Sequence, residues 1–291
     1  MIRDITIGQY YPAASVIHKL DPRVKLLGTL VFIISLFLFS SFSGYVVAAV
    51  FLFGTIRLSR VPLKFILKGL KAVFILLLFT VIFNIFLTKG TPLVTIGPLA
   101  ITWEGIRTAV FMAIRLVFLI LGSSLMTLTT TPNQLTDGME KGLAILKPLH
   151  VPVHEIAMIM SIALRFIPIL LEETDKIMKA QSARGADFES GNMIQKAKSL
   201  IPILVPLFVS AFRRANDLAM AMEARCYHGG DGRTKMKPLR YEKRDYTAYF
   251  LLLLYLGILL AVNLLVRYFV ADTQITFLSA LPATIMMREG F

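Results

Sequence analysis

Long uninterrupted apolar runs constrain this chain more than any other feature of its 291 residues. A hydrocarbon core of about 30 Å is crossed by about 20 helical residues, so runs of that length point to a bilayer first. The stretch from Lys25 to Ile56 is too long for one span and breaks at Ser40-Ser41-Phe42-Ser43-Gly44, which predicts two short helices with a tight external turn. Val61 to Leu87 predicts a third helix, whose first half carries Lys64, Lys68 and Lys71 and is expected at the interface before the helix enters the bilayer. Glu104 to Leu128 predicts a fourth and Tyr246 to Val270 a fifth. Between the third and fourth, Thr91 to Thr102 alternates apolar and polar residues around Gly97-Pro98, the pattern of a small hairpin outside the membrane.

Composition supports the same class. The chain is 56% hydrophobic with a formal charge of +13, against the roughly half-apolar makeup of soluble domains. The basic residues cluster between the apolar runs, as in loops that face anionic lipid. No stripe of arginines and aromatics of the kind that binds single strands is present, so nucleic acid is not an expected partner. Arg57, Arg60, Lys64, Lys68 and Lys71 lie between helices two and three, whereas only Lys89 lies between three and four. Cytoplasmic loops are the basic ones, which places the N-terminus inside and the C-terminus outside. The expected layout is a membrane domain over 1–129 with its hairpin near 91–102, a cytoplasmic segment over 130–245, and a last span with an external tail over 246–291. The single cysteine, Cys226, excludes a disulfide framework and a Cys-based metal site. About twenty mixed residues precede the first apolar run, so that run is expected to stay in the mature protein.

The segment 130–245 is helical in pattern and too charged to be a bundle of spans, yet it holds two strongly apolar stretches. Ile156 to Leu171 is interrupted by Arg165 and Pro168, and Leu200 to Phe212 carries Pro202 and Pro206. Prolines kink helices and free carbonyls, and a charged arginine at mid-membrane costs several kcal/mol. Two further spans, giving a self-contained secondary transporter or permease with about seven membrane helices, would need longer charge-free runs. Two long amphipathic helices sliding along the cytoplasmic face fit better. Their apolar faces, Ile159, Leu164, Phe166, Ile167 and Leu170 on the first and Ile203, Leu204, Leu207 and Phe208 on the second, then become a docking surface for another membrane protein.

Both helices end alike. The first finishes Ala180-Gln181-Ser182-Ala183-Arg184-Gly185 and the second Ala221-Met222-Glu223-Ala224-Arg225-Cys226. Alanine recurs at a three-residue interval and the second alanine precedes arginine, so small residues line one face beside a single guanidinium. Small faces allow close helix contact, and the planar arginine fork makes several directed hydrogen bonds that lysine cannot mimic. A lone basic residue in a last turn merely complements the helix dipole, with Gly185 or Gly229 as a left-handed cap. Two matched copies ask for more.

These endings, the run Arg165-Phe166-Ile167-Pro168, and Asp21-Pro22-Arg23-Val24-Lys25 resemble the transmembrane (T) component of energy-coupling factor (ECF) transporters across essentially the whole chain. The resemblance implies an all-α membrane protein of about five transmembrane helices with a cytoplasmic coupling domain of long crossed helices. It implies that Ala183, Arg184, Gly185, Ala224, Arg225 and Cys226 seat in two ABC ATPase subunits. It further implies that the apolar faces hold a small substrate-binding membrane protein, the S component, which sets specificity for a vitamin or other micronutrient. Cys226 stands where the pattern often has glycine.

The chemistry missing from the sequence agrees with a coupling role. No Gly-rich loop with Lys-Ser/Thr exists, so ATP is expected on partner chains and no cofactor on this one. A pore lined for its own substrate wants several intramembrane polar groups, and only Asn84, Arg107 and Arg115 qualify. Arg115 is expected near mid-bilayer, in a structural pairing. His150 and His154 have the spacing of helical metal ligands, but Pro152 lies between them and no Glu follows the first. Arg233, Lys235, Lys237, Arg240, Lys243 and Arg244 read as a lipid-headgroup anchor, and Asp21-Pro22 as an N-cap with a first-turn proline. Scattered histidines and few intramembrane carboxylates offer no catalytic constellation.

Overall fold

The computed structural model describes residues 10–39, 41–96, 99–143, 148–149, 151–186, 188, 192–229 and 238–280. The described residues form helices joined by one short hairpin, in two compact units: 10–130 with 240–280, and 131–239.

The first unit holds α1 (Pro22–Leu38), α2 (Phe42–Ser59), α3 (Leu63–Leu87), β1 (Pro92–Ile96), β2 (Leu99–Thr102), α4 (Trp103–Thr129) and α9 (Lys243–Ala280). The break expected at the serines is real. α1 stops at Leu38, and Ser41 caps α2 by accepting from Gly44 N at 3.3 Å. Asp21 caps α1, its carboxylate accepting from Arg23 N at 2.9 Å, with Pro22 at the first helical position. α3 bends by 59° between Leu63–Lys71 and Val73–Leu87, just past the lysine-bearing half. β1 and β2 pair antiparallel with Ile96 opposite Leu99, while Gly97-Pro98 lies outside the described residues.

Phe32, Leu36, Tyr45, Leu52, Leu125 and Tyr255 belong to one buried cluster drawn from α1, α2, α4 and α9. Phe51 stacks on Tyr255 with ring centroids 4.3 Å apart, and Tyr255 Oη shares a hydrogen bond of 2.7 Å with Ser35 Oγ. Glycine permits one close contact: a Cβ at Gly122 would meet the buried Phe32 ring at 2.8 Å.

One end of this unit is a buried polar junction. Asp245 accepts from Asp21 N at 2.9 Å and from Glu242 N at 2.8 Å, tying the start of α9 to the start of α1. Lys25 Nζ donates to Thr129 O at 2.8 Å and His18 O at 3.1 Å, and so satisfies a carbonyl at the end of α4. His18 Nε2 lies 2.9 Å from Tyr11 O, which only accepts, so that nitrogen carries the proton and Nδ1 accepts from Ser15 Oγ at 2.6 Å. Burial pushes the His18 pKa below its ordinary value, with the Lys25 ammonium acting in the same direction against the opposing Tyr11 carbonyl. The neutral tautomer is therefore the form this network holds.

The second unit contains α5 (Pro132–Leu143), α6 (Val153–Ala183), α7 (Met193–Ser199) and α8 (Ile201–Glu223). Thr131 and Gln134 cap α5 reciprocally, Thr131 Oγ1 accepting from Gln134 N at 3.3 Å and Gln134 Oε1 from Thr131 N at 3.2 Å. α6 is 31 residues long with Pro168 inside it, and α8 carries Pro202 at its start and Pro206 within. α6 and α8 run antiparallel past one another. Gln181, near the end of α6, donates to Pro202 O at 3.4 Å, while Arg214 pairs with Glu173 at 2.8 Å further back.

Among the described residues, four helices are long and apolar enough to cross a membrane: α2, α4, α6 and the Lys243–Val266 part of α9. Bent α3 makes a fifth if it counts as one span. This set differs from the expected one in two members. α1, with 17 residues, is about 25 Å long and too short by that measure. α6 qualifies because its apolar first half lengthens into a continuous helix through Pro168.

Candidate functional site

The two arginine endings share a backbone geometry as well as a sequence. At the end of α6, Gly185 N donates to Ser182 O at 3.0 Å and Ala186 N to Gln181 O at 3.0 Å. At the end of α8, Cys226 N donates to Glu223 O at 2.8 Å and Tyr227 N to Met222 O at 3.1 Å. Each is a Schellman lock, in which crossed hydrogen bonds close the helix behind a residue in the left-handed region. Gly185 takes that conformation with φ 89°, and Cys226 takes it with φ 55°. A side chain there costs about 1–2 kcal/mol relative to glycine. The departure to cysteine therefore keeps the lock at an energetic cost.

In both locks the arginine occupies the position just before the left-handed residue, so Arg184 and Arg225 leave their helices in equivalent places. Both are exposed, as are Ala183 and Ala224 before them and Gly185 and Cys226 after them. Neither guanidinium makes an ion pair among the described residues. Because α6 and α8 are antiparallel, the arginines stand at opposite ends of the pair. Gln181, close to Arg184, lies beside Pro202, and from Pro202 to Arg225 is about 35 Å along α8.

The apolar faces divide differently from the sequence expectation. On α6, Ile159 (62% exposed) and Ile167 are open, and Leu164, Phe166 and Leu170 are half-buried. On α8, Leu204 and Phe208 (62% exposed) are open and Leu207 is half-buried. Ile203 is 5% exposed and so is no part of an open surface. The exposed stripe on α8 is instead Ile201, Leu204, Val205, Phe208, Val209 and Phe212, a spacing of three and four residues that marks one helix face. Sequence alone does not single out Ile201, Val205, Val209 and Phe212, because the run is apolar nearly all round and periodicity within it does not tell which side is covered.

The remaining candidates separate. His154 Nδ1 lies 3.4 Å from Glu140 Oε1 and His150 lies outside the described residues. No group of three or more potential metal ligands occurs among the described residues. Asn84 is satisfied within α3, donating to Thr80 O at 2.8 Å. Arg233, Lys235 and Lys237 of the basic stretch also lie outside the described residues, while Arg244 pairs with Glu242.

Comparison with known proteins matches residues 13–236 to the family model CbiQ, described as cobalt transport protein. A protein of Clostridium kluyveri, the energy-coupling factor transporter transmembrane protein EcfT, is 61% identical over 250 residues, covering 85% of this chain and 93% of that protein. The protein of the same name from Ruminiclostridium cellulolyticum is 58% identical over 245 residues, 84% of this chain and 92% of that one. The one from Bacillus subtilis is 48% identical over 246 residues, 84% and 93%. With most of its length matched in this way, and with membrane-length helices and duplicated arginine ends in place, the chain belongs to the CbiQ/EcfT family, the non-catalytic transmembrane components of energy-coupling factor transporters.

Proposed function

We propose that this chain transmits ATP-driven motion from two ABC ATPase subunits to a docked S component, and so powers uptake of a vitamin or other micronutrient. The observation that carries the reading is the pair of matched Schellman ends with exposed arginines at opposite ends of antiparallel α6 and α8. Each arginine offers a fork of donors suited to carboxylates or carbonyls of an ATPase groove. The lock behind each one prevents fraying, so a push on the tip is passed along the rod. A separation of about 35 Å supplies one tip to each of two ATPases. The exposed stripes on α6 and α8 then serve as the S-component seat, with Ile159, Ile167, Leu204 and Phe208 at its open positions.

In this arrangement the N-terminus and residues 130–245 lie in the cytoplasm of a cell-membrane protein and the C-terminus lies outside. The test is reconstitution of the full complex in liposomes. Arg184→Ala and Arg225→Ala each lower ATP-driven uptake about ten-fold or more, the loss expected for a charge-assisted hydrogen bond, while substrate binding by the S component stays intact. Normal uptake in both variants refutes the proposal. The length of α6 favours a second reading, in which it crosses the bilayer. Cysteine labelling over Glu172 to Lys179 separates the two, since cytoplasmic access is expected only for a helix lying at the face.

A further inference from the structure

Arg115 puts a cation where a bilayer offers few counter-charges. Lys25 Nζ reaches Thr129 O, so the start of α1 and the end of α4 share one level. Arg115 lies about 21 Å along α4 from Thr129. Its guanidinium sits over the Phe37 ring at 5.4 Å, and Phe37 lies about 18 Å along α1 from Lys25. The two counts agree. With the Lys25–Thr129 level taken as the near edge of a hydrocarbon core of about 30 Å, they place the charge well inside it, roughly 10 Å short of the far face. A charge at that depth is costly unless it is paired or reaches a headgroup. Arg115 Nε donates to Tyr45 Oη at 3.0 Å and Nη1 lies 4.0 Å from Met112 Sδ. No carboxylate pairs with it among the described residues.

Tyr45 also forms a wall of a groove of ≈ 340 Å³ between α2 and α4. That volume falls within the range of about 300–1,000 Å³ typical of ligand sites. The groove is lined only by aliphatic and aromatic side chains, among them Phe42, Val46, Ala49, Ala113 and Val117, and the two alanines keep it open. One side of this tyrosine thus faces an acyl-sized trough, and its oxygen holds a guanidinium that lacks an anion.

We propose that this is a phospholipid site, with an acyl chain in the α2–α4 groove and the phosphate held by Arg115. Two observations favour a lipid over a partner's carboxylate: the apolar groove beside the cation, and the shortness of α1. At about 25 Å, α1 ends near the level of Arg115 and short of the bilayer face. Headgroups above the α1–α2 turn settle toward the guanidinium as the bilayer adapts to the short hairpin. The arginine fork matches phosphate oxygens bidentately. The proposal needs the chain to span a membrane and is independent of the coupling role of Arg184 and Arg225.

Native mass spectrometry of the full-length protein in detergent, titrated with phosphatidylglycerol, tests it. One tightly retained lipid per chain is expected. Arg115→Gln weakens retention about ten-fold or more, as loss of a charge-assisted hydrogen bond would. Ala49→Phe, which fills the groove and keeps the cation, does the same, and Ala113→Leu serves if Ala49→Phe melts earlier than wild type. Arg115→Lys keeps the charge but loses the bidentate fork, and its retention falls between wild type and Arg115→Gln. Arg107→Gln removes the neighbouring α4 cation, which lies over Phe111 at 5.6 Å, and leaves retention unchanged. Millimolar inorganic phosphate does not displace the lipid. Wild-type retention in either Arg115→Gln or the groove-filled variant overturns the proposal, as does a loss in Arg107→Gln equal to that in Arg115→Gln, or displacement by inorganic phosphate. So does a result in which Arg115→Gln keeps its lipid but no longer assembles with a partner membrane protein, since the guanidinium then serves a protein carboxylate.

Discussion

The two units differ in how they use charge and in how much apolar core they close. At the helix-end junction of the unit of α1–α4 and α9, two charged side chains are turned inward and satisfied by backbone: Asp245, 2% exposed, holds two N–H groups, and Lys25 holds two carbonyls. Its helices close over a shared aromatic and aliphatic core. In the unit of α5–α8, Val153, Ala157 and Ile203 are the buried apolar residues among those described, while Phe208, Phe212 and both terminal arginines are open. The first unit spends its polar groups on fixing helix ends to one another. The second leaves its most directional groups and its broadest apolar stripe uncommitted, as a part completed by other subunits would.

That contrast is open to direct attack. The largest effect is expected from Asp245→Ala, which strips the acceptor from Asp21 N and Glu242 N in a buried setting and should cost about 3 kcal/mol in detergent unfolding. A loss below about 1 kcal/mol would show that solvent, and not this carboxylate, satisfies the junction. Gly122→Ala comes next. Its Cβ would press on the buried Phe32 ring at 2.8 Å, and overpacking of that kind costs about 1–3 kcal/mol, read as an earlier thermal transition. In the second unit the sign reverses, because Cys226→Gly relieves a side chain from the left-handed region. That strain of about 1–2 kcal/mol, offset by the extra chain entropy of about 0.5–1 kcal/mol that glycine loses, leaves an expected stabilisation of about 1 kcal/mol with uptake retained. The smallest shift belongs to Arg184→Ala and Arg225→Ala, whose exposed side chains should alter unfolding by no more than about 0.5 kcal/mol even where transport is lost. A large stability loss there would make the arginines structural and erase the distinction between the units.

How far the fold was legible depends on the range of the interaction concerned. Membrane-length helices were readable because they rest on run length alone, and the α1–α2 break because serines and a glycine interrupt one run. α5 is marked in the sequence only by the Thr131 and Gln134 capping box, since its mixed composition carries no apolar run. The Asp21–Asp245 link joins positions 224 residues apart, and no local pattern announces it. For the arginine ends, the repeated Ala-Arg-small pattern was visible and Gly185 announced the left-handed cap of α6, but the cap of α8 falls on Cys226 and not on Gly229, and cysteine is a poor advertisement for that conformation. The burial of Ile203 was illegible for a related reason. In a helix apolar on most sides, the covered face is chosen by what packs against it and not by its own sequence.

Cys226 is the only sulfhydryl in the chain, exposed, and set one position past Arg225 by the tight turn that closes α8. The native sequence therefore carries its own chemical reporter at the very tip in question. A maleimide will find one target without any engineered background, and its rate of attachment, followed as companions are added and nucleotide is turned over, reads directly whether that tip is occluded, free, or cycling between the two.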